Sequence, residues 1–292
     1  MKEITDYGKV FGTLIEKTEE YILGNNLHAM VLGISGGIDS TVVAAICHEV
    51  SKRTNIPLIG RSLPTKYNKE DEISAAQLVG KAFCNDFEEI PIKNPYESFL
   101  SLLDRAECGM TAVANGNIQA RLRMIYLYNL ASIHGGLVMD TDNLTENNLG
   151  YFTIHGDVGD FNPIGGLWKT EVFELARWLM NYYKDPHVRG YNEQATAVIM
   201  SLNLKPTAGL GITNNDLEEI GAESYDQVDT VLKDILSWKC RESMFAWKEK
   251  EHPLEDYLKE HRIKDIPYEI IEKVATRHFR SEFKRKHLPI KL

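Results

Sequence analysis

The densest group of residues able to do chemistry is Ser35-Gly36-Gly37-Ile38-Asp39-Ser40, which follows an apolar run ending in Gly33 and Ile34 and opens a helical pattern. Glycines let the backbone turn tightly and approach an anion. The N–H groups of a helix start, together with the hydroxyls of Ser35 and Ser40, can donate hydrogen bonds to phosphate oxygens. Asp39 cannot serve a phosphate directly. An acidic residue in an anion loop makes sense if it holds Mg²⁺, which in turn bridges phosphate oxygens. The loop is not a Walker A loop, because the Gly-Lys-Ser/Thr ending is missing. The plainer alternative is a glycine-rich turn stabilised by local Ser and Asp hydrogen bonds.

A loop of this kind needs a strand before it and a helix after it. Apolar runs of buried-strand length lie at 29–34, 57–63, 87–92 and 136–140, with helix-like sequence between them at 40–52, 69–83, 95–105 and 117–132. Such alternation predicts an α/β fold: a doubly wound parallel sheet, with right-handed crossovers placing helices on both faces. The 117–132 segment carries one apolar stripe at Ala120, Met124, Leu127 and Ala131 and another at Ile118, Leu122 and Ile125. Both sides therefore need cover, either within one subunit or at a homodimer interface. The stretch from Asp140 to Gly166 is rich in Gly and Asn and shows no clear periodicity, so it is expected to be an active-site loop. A helix over 170–183 follows, and further helices from Asn214 onward make a helical C-terminal part.

The bulk numbers narrow the partners. The chain has 292 residues, 43% apolar and 26% charged, ordinary values for a globular protein, and no repeat or linker-like tract divides it. One domain spanning 1–292 is expected. A formal charge of -9 opposes attraction to nucleic-acid phosphates. The longest apolar stretches, such as 29–34 and 41–47, fall far short of the roughly 20 residues that cross a bilayer. The start is acidic and lacks the apolar segment of a signal peptide, so a cytoplasmic protein is expected. Cys47, Cys84, Cys108 and Cys240 are scattered and form no zinc or disulfide pattern. One basic tract, with Arg277, Arg280, Lys284, Arg285 and Lys286 against a single Glu282, suits a small polyanion.

The S-G-G-x-D-S pattern resembles the pyrophosphate loop of the ATP-pyrophosphatase superfamily, whose members cleave ATP between its α and β phosphates. Further motifs choose within it. Gly116-Asn117-Ile118-Gln119-Ala120-Arg121-Leu122-Arg123-Met124 resembles the G-N-x-x-A-R-x-R-M helix of NAD synthetases, which assigns Arg121 to the dinucleotide substrate. Thr141-Asp142, Glu146, Gly150-Tyr151-Phe152-Thr153 and Gly156-Asp157 resemble the family's T-D-x-x-E…G-F-F-T…G-D segment, which places Thr141 on ATP and Glu146 on magnesium. Asp160 and Lys169 match a substrate-binding aspartate and an ATP-binding lysine. Lys205-Pro206-Thr207-Ala208 resembles the K-x-P-T-A run, with Thr207 on ATP. Phe283-Lys284-Arg285 resembles the terminal F-K-R motif, in which the lysine meets substrate.

Asp39 and Glu146 together are what a Mg²⁺–triphosphate complex needs, since the ion takes few protein ligands and many phosphate oxygens or waters. The resemblance runs collinearly over roughly residues 30 to 290 and departs from the common pattern in three places. Ile154 and His155 stand where many members have a substrate-binding lysine, one residue is missing between Gly159 and Asp160, and T-A-D-L reads Thr207-Ala208-Gly209-Leu210. His155 and the Lys284-Arg285 pair are the candidates to replace the lost contact. The resemblance implies ATP-dependent amidation of deamido-NAD by ammonia through an acyl adenylate, with Asp160 and Asp142 as candidates for accepting an ammonia proton. Nothing in the sequence resembles the glutamine-hydrolysing domain of the longer members, so ammonium is expected to suffice. The alternatives are amidation of nicotinate mononucleotide, another ligase of the superfamily, or a nucleotide-binding module without catalysis.

Overall fold

The computed structural model describes residues 4–104, 111–185, 191–205, 216–241 and 252–285. Four short strands, β1 (Met30–Gly33), β2 (Leu58–Ser62), β3 (Asp86–Glu89) and β4 (Leu137–Val138), form one parallel sheet in the order β3-β2-β1-β4. Met30 stands opposite Leu58 on one side and Leu137 on the other. The regular strands are shorter than the apolar runs that announced them, although hydrogen bonds to the neighbouring segment continue past the strand ends. Beyond Glu89, for example, the backbone still donates from Ile90 to Ser62 and from Ile92 to Pro64.

The period of two along each strand sorts the core into two layers. Met30, Leu32, Ile34, Leu58 and Leu137 pack with α1 (Tyr7–Gly24), α2 (Ile38–Thr54), α3 (Glu70–Phe83), α7 (Lys169–Tyr182) and α8 (Tyr191–Asn203). Ala29, Val31, Ile59 and Val138 face the other way. They pack on Met124, Leu127 and Ala131 of α5 (Ala112–His134), which follows α4 (Lys93–Asp104). Helices thus cover both faces of a parallel sheet, the doubly wound arrangement the alternation predicts. Helix α1 falls outside that expectation. It buries Phe11, Ile15, Thr18 and Ile22 along one face, and its start is capped by Asp6, whose side chain accepts from Lys9 N at 2.9 Å.

Two further departures lie around the expected loop of 140–166. Its first part holds a short helix, α6 (Leu144–Leu149), too brief for any periodicity to show in sequence. The chain then returns to the sheet edge, where Met139 bridges Phe161 in parallel. The helices α9 (Asp216–Ile220), α10 (Tyr225–Arg241), α11 (Pro253–Glu260) and α12 (Tyr268–Arg280) and the 3₁₀ turn Glu282–Arg285 complete the C-terminal part. They build a second core from residues such as Val228, Val231, Ile235, Trp238, Tyr257 and Val274. Leu149 and Trp168 plug into it from the sheet side. Trp168 is 1% exposed, and removing its ring would cost about 3–5 kcal/mol. No helix among the described residues is long and apolar enough to cross a membrane.

Candidate active site

The strand order reverses between β1 and β4: β2 and β3 extend one way from β1, whereas β4 lies on its other side. In open parallel sheets the crevice at the carboxyl ends of the strands beside such a reversal is where ligands bind. Here the segments leaving β1 and β4 line a cleft of about 390 Å³, whose wall includes Gly33, Ile34, Ser35, Gly37, Ile38, Asp39, Ser40, Thr141, Asp142, Glu146 and Lys169. The volume is within the range that takes small-molecule ligands.

The loop after β1 is shaped by packing. Gly36 has φ +83°, and a Cβ there would lie 2.5 Å from the Glu72 carbonyl oxygen and 2.8 Å from Ala76 N, so the loop sits directly on α3. Ser35 Oγ accepts from Gly37 N at 3.2 Å and lies 3.0 Å from Ser40 Oγ, which also donates to Gly37 O at 3.0 Å. Helix α2 begins at this point with Gly37 as its N-cap and no side-chain cap. The N–H groups of its first turn are therefore unclaimed by a side chain at the cap, the condition under which a helix start receives an anion.

A charged cluster closes the other side of the loop. Lys169 Nζ donates to Asp39 Oδ2 at 2.6 Å and to Glu146 Oε1 at 2.9 Å. Glu146 is held by a capping box at the start of α6: Asn143 N donates to Glu146 Oε2 at 3.2 Å and Glu146 N to Asn143 Oδ1 at 3.0 Å. The same Asn143 donates from its side-chain amide to Asp39 Oδ1 at 2.9 Å, so one residue locks both carboxylates. Burial pushes Glu146 up to about 7, against the pull of Lys169. Burial pulls Lys169 down, but Asp39 and Glu146 outweigh it and hold its ammonium well above the ordinary lysine value. Deeper in the cleft, burial and then Asp140 raise Asp142 well above the usual carboxylate range, and burial pushes Asp157 up to about 6.

With both carboxylates ionised, their convergence on one ammonium leaves a net charge of −1, and the point they share is already a cation's position. No larger group of metal-ligating side chains gathers among the described residues. That sparse donor set fits Mg²⁺, which keeps most of its coordination for phosphate oxygens and water.

The structure divides the remaining candidates. Lys284 reaches the cleft wall, donating to Gly150 O at 2.8 Å and Phe152 O at 2.5 Å. Arg285 turns the other way and spends its guanidinium on Asn148 O, His278 O and Ser281 Oγ. Arg121 is exposed outside the cleft wall and donates to Ile154 O at 3.3 and 3.4 Å. Arg123, from the same motif and not singled out in the sequence, lines the cleft, held by Leu63 O at 3.0 Å and Asn68 Oδ1 at 3.3 Å. Burial lowers it to about 10, so it stays charged at neutral pH.

His155, at φ 58°, and Asp160 are both exposed and outside the cleft wall. Asp160 instead accepts from Tyr128 OH and Val138 N, both at 3.0 Å, and so completes the edge of β4. Asp157, which accepts from Thr153 N at 2.7 Å, lines the cleft in its place. Its position beside the reacting volume had no separate sequence signal beyond the Gly-Asp pair that contains it. Thr207 lies outside the described residues; Lys205, two positions earlier, lines the cleft.

A glycine–serine loop and an uncapped helix start at the reversal of a parallel sheet, with a carboxylate pair opposite, define an α/β nucleotide-binding protein whose cleft suits a metal-bound phosphate chain. The family is more specific than the class. The NAD synthase family model matches residues 11–288, and the chain belongs to that family. It is 36% identical over 220 residues to the NH(3)-dependent NAD(+) synthetase of Methanococcoides burtonii, covering 75% of this chain and 76% of that protein. It is 33% identical over 272 residues to the protein of the same name from Thermoplasma acidophilum, covering 91% and 98%. Among solved structures, NMN synthetase from Francisella tularensis superposes with a TM-score of 0.74 at 26% identity, covering 99% of each chain.

Proposed function

We propose that this protein is an ammonia-dependent NAD synthetase, a carbon–nitrogen ligase that converts deamido-NAD, ATP and ammonia into NAD, AMP and pyrophosphate. The observation that carries this reading is the Asp39–Lys169–Glu146 cluster beside the Ser35–Ser40 loop. It supplies, at one place, donors for a pyrophosphate and carboxylates for the cation that accompanies it. Mg²⁺ bound by Asp39 and Glu146 would neutralise charge on the phosphate oxygens.

In the proposed sequence the nicotinate carboxylate attacks the α-phosphorus of ATP. The bond between the α and β phosphates breaks, and pyrophosphate is retained by the loop and the start of α2. Lys169 contributes a fixed positive charge to the same phosphate chain, so the residues act by position and electrostatics rather than as nucleophiles. Ammonia then attacks the acyl-adenylate carbonyl, AMP leaves with the bonding pair, and the nitrogen loses a proton. Asp142 and Asp157 face the cleft, which favours them over Asp160 as the acceptor.

The second reading replaces the dinucleotide by nicotinate mononucleotide. It is supported by Ile154 and His155 at the usual lysine position and by the likeness to the NMN synthetase of Francisella tularensis. Deamido-NAD is preferred because the relatives above 30% identity carry the NAD synthetase name and because Lys284 is retained and lines the cleft. We place the enzyme in the cytoplasm as a homodimer. The support for the dimer is the outer face of α5, where Ile125 and Ile133 are each 67% exposed. The test is AMP release from ATP with ammonium chloride, magnesium and each nicotinate substrate in turn. Absence of AMP with both substrates would sink the reading.

A further inference from the structure

Asp229 is 1% exposed and belongs to α10, a helix with no residue in the cleft wall. Burying a carboxylate away from water is costly unless its oxygens are saturated with donors. The donors here come from two other helices. Asp229 Oδ1 accepts from Thr145 Oγ1 at 2.5 Å, and Oδ2 accepts from Thr170 N at 3.0 Å and Thr170 Oγ1 at 2.7 Å. Thr145 Oγ1 in turn accepts from Lys169 N at 2.8 Å.

These partners are placed where they matter for the cleft. Thr145 immediately precedes Glu146 in the first turn of α6, and Thr170 immediately follows Lys169 in the first turn of α7. Helix α7 cannot cap itself with a side-chain oxygen from its N-cap position, because that residue is Trp168. Glu171 returns to Trp168 N at 2.9 Å, but Thr170 N has its carboxylate partner only in α10. A negative charge at two converging helix starts is also matched to the positive ends of their dipoles. The bonds to Thr145 and Thr170 counteract the upward push of burial on the Asp229 carboxyl.

We propose that Asp229 is a positioning residue for the reaction: by tying the first turns of α6 and α7 together it sets the separation of Glu146 and Lys169, and it makes cleft geometry depend on docking of α10. It rests on the proposed function only for the activity assay. The mechanism is one of geometry. An amide at 229 offers one acceptor oxygen instead of two and points N–H groups at Thr145 Oγ1, whose hydroxyl proton then has no acceptor.

The experiment compares the full chain with Asp229→Asn, Thr145→Val and Val231→Ala. Val231 is a fully buried neighbour in α10 and belongs only to the C-terminal core, so its truncation loosens that core without touching the link. Two readouts are taken: kcat and KM for ATP in the AMP-release assay, and hydrogen exchange at the Lys169 and Thr170 amides with no nucleotide or metal present. Asp229→Asn and Thr145→Val are expected to lower kcat about 10–100-fold, the range typical for partners of metal ligands. Exchange at Lys169 or Thr170 should quicken, while exchange at Val43 and Ile46 of α2 does not. Val231→Ala should lower the melting temperature with kcat nearly unchanged.

Wild-type kcat and wild-type exchange in Asp229→Asn would overturn the proposal. So would an equal loss of kcat in Val231→Ala at matched melting temperature. If Asp229→Asn does not fold, Thr145→Val decides by the same two readouts. A wild-type protein that makes no AMP defeats the proposed function instead, and the exchange measurement still decides the link.

Discussion

Lys169 Nζ stands 2.6 Å from Asp39 Oδ2, across 130 positions of sequence, and the ion pair it makes there occupies the point where a second carboxylate, Glu146, also arrives. The first prediction follows from that convergence. Asp39→Ala and Glu146→Ala each leave Lys169 with one remaining carboxylate, so no buried charge is stranded and the fold should persist. AMP formation should fall at least about 100-fold, the upper end of the loss seen when even outer partners of a metal are removed. Circular dichroism melts and magnesium-dependent AMP release check both halves. Full activity in either variant would remove that residue from the metal assignment.

The pH dependence has a definite sign. Burial holds the Glu146 carboxyl near 7 in the native protein, above its ordinary value of 4.5. A carboxyl raised in this way binds its proton more tightly folded than unfolded. Its contribution to stability is therefore present below about 4.5 and is lost as pH rises toward 7. The loss is at most about 3 kcal/mol from a shift of this size. Urea unfolding of the ligand-free protein from pH 4.5 to 7.5 should show it, and Glu146→Gln should flatten the slope. Mg²⁺ needs the ionised form, so its affinity should run the opposite way, rising up to about tenfold per pH unit until about 7.

Gly36 supplies a purely steric test. Its φ of +83° and the 2.5 Å approach to the Glu72 carbonyl leave no space for a methyl group. Gly36→Ala must either shift the loop away from α3 or strain the backbone, at about 1–3 kcal/mol. The melting temperature should drop and ATP binding by calorimetry should weaken together. An unaffected ATP affinity would show that the loop does not cradle the phosphates.

Much of this was legible in the sequence because it is local. The Ser35–Ser40 loop, its flanking strand and helix, and the parallel alternation all follow from neighbouring residue types. What the sequence hid depends on distance. Asn143 locking Asp39 across 104 positions, and Asp229 reaching Thr145 across 84, have no local pattern to reveal them. The paired arginines of α5 show the same limit. Motif position favours Arg121, whereas the turn of the helix aims Arg123 at the cleft and Arg121 at Ile154 O. Helix α6 leaves no periodic signal because six residues are too few for one.

The outer face of α5 makes an association prediction. Met124, Leu127 and Ala131 pack on the sheet and Ala120 is buried at the cleft wall, which leaves Ile125 and Ile133 exposed on the same helix beside the half-exposed Tyr128. A homodimer built on this face would bury them. Sedimentation velocity at micromolar concentration should show a dimer, and Ile125→Asp with Ile133→Asp should yield a folded monomer. A wild-type monomer would refute the interface.

The last prediction concerns which nicotinate carboxylate is amidated. Ile154 stands where the common family pattern has lysine, and an isoleucine side chain offers no hydrogen bond to a ligand. Its carbonyl is held by Arg121, so the backbone of the turn is fixed even though the charged side chain is missing. His155 next to it is exposed, and Lys284 of the basic C-terminal turn lines the cleft. If these residues supply the grip, deamido-NAD remains the better substrate, with a margin narrowed by the lost contact. One charged hydrogen bond is worth about 1.5–3 kcal/mol, roughly a ten- to hundredfold change in preference. Measured kcat/KM should therefore favour deamido-NAD over nicotinate mononucleotide, and Ile154→Lys should widen that ratio about tenfold by acting on the dinucleotide. A clear preference of the wild-type protein for the mononucleotide would reverse the substrate assignment, and Ile154→Lys would then be expected to move the preference back toward the dinucleotide.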